Sequence, residues 1–185
     1  MDREPEQIAD EWLVLSAQSG SATAMEALVR RWQPRLLAHA RQVTGRTDVA
    51  SDVVQEAWLA IMRSLEKLRD PAAFRSWAYR IVHARAVDWV RKNKRQRDVL
   101  EDQAPDEIPA PLETQHATGD KRPALAAAIE KLAAKQRVLL RMFYLERMRV
   151  REISTALGMP VGTVKYQLFQ LRQQLKSLME GEEDV

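Results

Sequence analysis

Between Val161 and Leu178, apolar residues stand at Val161, Val164, Leu168, Leu171, Leu175 and Leu178, a spacing of three, four, three, four, three. A helix with about 3.6 residues per turn brings all of them to one side. A strand would divide them between two faces. Weaker versions of the same pattern recur along the chain, and strand-like alternation appears nowhere, so the sequence predicts an all-α protein.

From Thr23 to Val43 the apolar positions Met25, Leu28, Val29, Trp32, Leu36, Leu37, Ala40 and Val43 trace one helical face, with Thr23 and Glu26 spaced as a capping box. Pro34 lies inside this stretch and removes one backbone hydrogen bond, which predicts a kink or break. Gly45 ends the element. A second stripe runs through Val54, Trp58, Ile61, Leu65 and Leu68, while Asp48, Asp52, Gln55, Glu56 and Leu59 lie toward another face. Asp70 and Pro71 predict the start of a third helix, with Phe74, Ala78, Val82, Ala86 and Trp89 turned inward. Ile8 to Leu15 predicts a short helix ahead of these. After Pro123, the groups Leu125, Ile129 and Leu132, then Val138, Leu139 and Met142, then Val150, Ile153 and Leu157 predict three short helices.

Between the two blocks, Asp98 to Asp120 carries Glu101, Asp102, Asp106, Glu107 and Glu113, no Lys or Arg, and prolines at 105, 109 and 111. Such a segment reads as a linker, and a solvated spacer satisfies the pattern. The expected organisation is a first domain over 1–97, an acidic linker over 98–121, a second domain over 122–180 and a tail over 181–185. The longest apolar runs fall far short of the roughly 20 residues of a membrane span, and the chain opens on Asp2, Arg3 and Glu4 rather than a basic and apolar leader. A cytoplasmic protein without membrane insertion is therefore expected. Cysteine is absent from the sequence, which excludes disulfides and thiolate metal sites. The three histidines, His39, His83 and His116, share no ligand spacing, so neither metal nor cofactor is expected.

Two places carry functional signals. The first is Arg151 to Leu157, then Gly158-Met159-Pro160, then Val161 onward: a helix, a turn and a helix. This is the pattern of a helix-turn-helix, whose second helix enters the DNA major groove, although an ordinary helical hairpin shares it. With Val164, Leu168 and Leu171 inward, the other face offers Thr163, Lys165, Tyr166, Phe169, Gln170 and Gln173. The second is the helix from Pro71 to about Arg97, where Arg75, Arg80, Arg85, Arg91, Lys92, Lys94, Arg95 and Arg97 alternate with Trp77, Tyr79 and Trp89. Cations neutralise phosphates and rings stack on unpaired bases. Equally, such rings can be core and such cations a solvated helix end.

The segment Glu152-Ile153, Leu157-Gly158, Pro160 to Lys165, Leu168-Phe169, Arg172 and Leu175 resembles region 4 of sigma-70 family factors. Asp52 to Trp58, Phe74 to Ile81 and Asp88-Trp89 are similar to region 2 of the same family. The resemblance spans about residues 23 to 97 and 122 to 179, with no room for a region 3 domain. It implies a two-domain sigma factor of the extracytoplasmic-function group, a transcription initiation factor rather than an enzyme. Core RNA polymerase, through its β′ clamp coiled coil and β subunit, and promoter DNA are the implied partners, and a membrane-linked anti-sigma factor is common in the family.

On that resemblance, Asp48, Asp52, Gln55, Glu56 and Leu59 would meet the arginine-rich β′ hairpin. Arg75, Trp77, Tyr79, Arg80, Ala84, Arg85, Asp88 and Arg91 would meet the −10 element as single-stranded DNA. Thr163, Lys165, Tyr166, Gln167, Phe169, Gln170 and Arg172 would meet the −35 element. Ala84 stands where asparagine is frequent in the family, and Gln167 and Gln170 stand where arginines are common. These departures support a rival expectation, a sigma mimic that binds polymerase or a regulator without productive promoter recognition.

Overall fold

A computed structural model describes residues 5–100 and 122–180. The acidic segment expected over 98–121 lies outside the described residues from 101 onward, as do His116 and the tail at 181–185. Among the described residues there are eight α-helices and no strand.

The first unit contains α1 (Pro5–Gln18), α2 (Ala22–Thr44), α3 (Thr47–Ser64) and α4 (Phe74–Leu100). α2 packs on the other three. Its N-cap is Ser21, whose hydroxyl accepts from Ala24 N–H at 3.2 Å, so the box expected at Thr23 is not the one used. Thr23 instead shares a hydrogen bond with the Ser21 hydroxyl, and Glu26 pairs with Arg30 at 2.8 Å. Either hydroxyl suits a cap; the backbone selects Ser21, the residue in extended conformation just before the helix. α2 also runs through Pro34 without the break that was one of the two expected outcomes there. Pro34 and Arg30, whose carbonyl loses its donor, are both exposed, a position where water can replace the missing bond. Gly45, at φ +70°, closes the helix by donating its N–H to the Arg41 carbonyl.

Leu28, Trp32, Leu36 and Ala40 from α2 share the core with Val54, Ala57 and Ile61 from α3 and Phe74, Ala78, Val82 and Ala86 from α4. Trp32 is the hub: it meets Phe74 edge-on at 5.9 Å and Tyr79 at 6.3 Å, and its indole N–H donates to Asp10 Oδ1 on α1 at 3.2 Å. Asp10 also pairs with Arg31 Nε at 2.7 Å. Burial raises the Asp10 pKa, and Arg31 opposes that rise. A second tryptophan, Trp58, donates to Gln33 Oε1 at 2.6 Å and joins α3 to α2. At the end of α1, Gln18 Nε2 donates to the carbonyls of both Leu65 and Leu68 at 2.8 Å. Those carbonyls bracket the 3-10 turn Leu65–Lys67 that follows α3.

The helix expected from Asp70 begins with a separate 3-10 turn, Pro71–Ala73, capped by Asp70, whose carboxylate accepts from Ala72 N–H. α4 starts at Phe74 and extends to Leu100, three residues beyond the expected domain limit.

The second unit contains α5 (Arg122–Glu130), α6 (Ala134–Leu140), the first part of α7 (Val150–Leu157) and α8 (Val161–Glu180). α5 and α6 pack on α8, with Gln136 Nε2 donating to Gln174 Oε1 at 2.6 Å. A π-helical turn, Arg141–Leu145, follows α6. Arg141 and Glu146 close it with an ion pair at 3.2 Å.

Candidate nucleic-acid and polymerase interfaces

The turn between α7 and α8 is fixed mainly by backbone chemistry. Gly158, at φ +65°, lets Met159 N–H reach the Ser154 carbonyl at 3.0 Å, while its own N–H turns to Thr155. This pair of bonds satisfies carbonyls that the end of α7 would otherwise leave open. Ser154 Oγ adds a bond to the Met159 carbonyl. At the other end of α7, Glu152 accepts from Arg149 N–H at 2.6 Å, one half of a capping box. The Pro160 carbonyl then accepts the first bond of α8, from Val164 N–H.

α8 buries Val164, Leu168 and Leu171. Lys165, Tyr166, Gln167, Phe169, Gln170 and Arg172 are exposed and Thr163 is half-buried, so all seven expected −35 residues remain on the surface. They do not form one uniform row. Tyr166, Phe169 and Gln170 lie opposite the buried stripe, with Lys165 and Gln167 on its two flanks. Arg172 is already engaged: its Nε donates to Tyr144 Oη at 2.9 Å, and its guanidinium lies 5.4 Å from the Phe143 ring centre. Phe143 and Tyr144 were not expected in this site. Nothing in their spacing links them to residue 172, because a π turn places them there.

On α3, Val49, Ala50, Val53, Val54, Ala57, Trp58 and Ile61 are buried, and Asp48, Asp52, Gln55, Glu56 and Leu59 are exposed, as expected. Asp52, Gln55 and Glu56 have no hydrogen-bond or ion-pair partner among the described residues. Asp48 differs, because Arg46 grips its carboxylate with Nε at 3.2 Å and a second guanidinium nitrogen at 2.5 Å. Hydrogen bonding to Arg46 lowers the Asp48 pKa to about 2.

On α4, Arg80, Ala84, Asp88 and Arg91 follow each other at intervals of three and four on one outward face, and Trp77, one step earlier, is half-buried with its ring 6.2 Å from that of Phe74. Lys92, Lys94 and Arg95 extend the exposed cationic surface. Tyr79 does not belong there. It is fully buried, edge-on to Trp32 and to His39, so it cannot stack on a base in this arrangement. Arg75 and Arg85 are half-buried and flank the face. Two of the histidines that share no ligand spacing are paired: His39 on α2 and His83 on α4 share a hydrogen bond inside the first unit.

An acidic and apolar surface on α3, a cationic and aromatic surface on α4, and a helix-turn-helix with a polar outer face thus occur in one chain. Residues 28–96 match the family described as Sigma-70 region 2, and residues 122–175 match Sigma-70, region 4. The ECF RNA polymerase sigma-E factor of Haemophilus influenzae is 26% identical over 186 residues, covering 95% of this chain and 97% of that protein. The solved structure of CnrH in complex with the cytosolic domain of CnrY is 25% identical, with a TM-score of 0.63, and the match covers 94% of this chain and 98% of CnrH. The sigma factor RpoE of Bartonella quintana, solved with the anti-sigma factor NepR, shares the fold at a TM-score of 0.67 and 19% identity, over 84% of this chain and 96% of RpoE.

Proposed function

The chain belongs to the sigma-70 family, in its extracytoplasmic-function group of RNA polymerase sigma factors, and on that premise we propose how its surfaces divide the work of initiation. Members of this family are DNA-binding transcription initiation factors and not enzymes; core polymerase and promoter DNA are their partners.

The outer face of α3 docks on core polymerase. Asp52, Gln55 and Glu56 offer acceptors to an arginine-rich helical hairpin, and Leu59, 45% exposed, adds apolar contact beside them. Asp48 is a weaker contributor, since a polymerase arginine must compete with Arg46 for it. The α4 face holds the non-template strand of the −10 element. Arg80 and Arg91 take phosphates, and the exposed part of the half-buried Trp77 ring, whose other contact is Phe74, meets an unstacked base. In the second unit, α8 enters the major groove at the −35 element.

Opening needs no covalent chemistry from this chain. Contacts made only with the separated strand stabilise it over the duplex, and those contacts shift the equilibrium by their differential affinity. Among the described residues no helix is long and apolar enough to cross a membrane, and the cytoplasm, where polymerase and promoter are, is the proposed location. Control by an anti-sigma partner is proposed by analogy with the Bartonella quintana complex.

The observation that carries this reading is the co-occurrence, in family order, of the exposed acidic face on α3, the α4 face and the α7–α8 turn. Its test is transcription by core polymerase with and without the protein on fragmented genomic DNA of the same organism. New start sites sharing two spaced upstream elements are expected. Core binding with no new starts would refute promoter recognition and indicate a mimic.

A further inference from the structure

Tyr166 and Gln170 sit one turn apart, opposite the buried Val164, Leu168 and Leu171. They occupy the part of α8 that would approach base edges most directly. One turn earlier on the same row is Gly162, where an added Cβ would meet nothing within 4 Å. The row is therefore open at its start and polar at its centre.

Gln170 Nε2 donates to Tyr166 Oη at 3.0 Å. That bond uses one amide hydrogen and sets the orientation of the amide. The second N–H and the Oε1 acceptor are left for an outside partner. In the major groove adenine presents an acceptor, N7, beside a donor, the N6 amino group, which this donor and acceptor pair complements. Guanine presents two acceptors there and is matched by a guanidinium or ammonium instead. Neither cation of this stretch of α8 lies on the row: Lys165 is on its flank, and Arg172 is held by Tyr144.

Resting on the −35 assignment made above, we infer that Gln170 reads an adenine within the −35 element, with Tyr166 as the positioning residue that holds its amide. The chemistry needed is a single A·T pair with adenine on the strand facing α8.

The test uses holoenzyme reconstituted from core polymerase and the full chain. It transcribes a pool of promoters built on a start site that the holoenzyme uses, randomised across the −35 element and read by sequencing the transcripts. One −35 position is expected to favour adenine by about tenfold, within the discrimination a bidentate contact provides. Gln170→Arg is expected to move that position to guanine. Tyr166→Phe keeps the ring and removes the hydroxyl; it is expected to weaken the adenine preference there and leave the other positions unchanged. A merely structural tyrosine would weaken all positions together, and that result would overturn the positioning role. Preferences at every −35 position indifferent to Gln170→Arg would sink the inference while leaving the sigma assignment standing. No starts above core polymerase alone would remove that assignment, and this inference with it.

Discussion

His39 Nε2 and His83 Nδ1 lie 3.2 Å apart, joining α2 to α4 within the first unit. One ring donates and the other accepts, which requires at least one unprotonated nitrogen between them. Burial pushes the His83 pKa down. A depressed folded-state pKa means that the stability tied to neutral His83 is complete above the unfolded value, about 6.5, and is lost as pH falls through the folded value. Thermal unfolding of the first unit should therefore shift to lower temperature as pH is taken below about 6.5. His83→Gln should flatten that dependence. An unchanged pH profile in the variant would show that the acid sensitivity lies elsewhere.

Asp10 receives both the Trp32 indole and the Arg31 guanidinium. Removing it with Asp10→Ala strands a buried N–H and should cost about 1–3 kcal/mol in urea unfolding. Asp10→Asn keeps a carbonyl acceptor for Trp32 and should cost less than the alanine variant. Equal losses from both would indicate that the charge, and not the indole bond, matters at this position.

Gly158 supplies the left-handed residue of the α7–α8 turn. A methyl group there would meet no neighbour within 4 Å. The cost of Gly158→Ala is thus conformational, about 1–2 kcal/mol. Calorimetry should show Gly158→Ala melting at a lower temperature than the unsubstituted protein.

The pairing of Asp48 with Arg46 separates it from Asp52 and Glu56. The double variant Asp52→Lys with Glu56→Lys should abolish binding to core polymerase with the circular dichroism spectrum intact. Asp48→Ala should weaken binding far less. Equal effects would argue against the assigned division of the α3 face.

Lys165 flanks the exposed row on α8 and is expected to meet a phosphate. Lys165→Ala should weaken promoter binding to a similar degree across −35 sequences and reduce the salt slope by about one unit. A change in base preference, with the slope unaltered, would place Lys165 at a base edge instead.

Periodicity identified α2, α3 and α8 because each buries a stripe that recurs every three or four residues, and the α3 and α8 surfaces follow directly from the complement of those stripes; α1 instead buries Val14 and leaves Ile8, Trp12 and Leu15 exposed. Tyr79 escaped correct placement because a ring in a basic helix suits a stacking surface or a core equally well. Its position one residue past Ala78 and three before Val82 carried the needed signal. The His39 to His83 bond and the Tyr144 to Arg172 bond join residues 44 and 28 positions apart. Such contacts depend on how helices meet, which one-dimensional spacing does not encode. Thr23 was expected as the cap and Ser21 is the cap used, because the choice between two neighbouring hydroxyls rests on backbone angles.

The α7–α8 turn is held largely by main-chain bonds and one glycine, and α8 is anchored by three apolar side chains on its inner side. The side chains proposed to touch DNA bear almost none of that load. Descendants of such a gene can exchange those outer residues one at a time without passing through an unfolded intermediate. After duplication, copies are free to acquire non-overlapping promoter codes on an unchanged scaffold, so a genome can carry many insulated regulators built from this small protein.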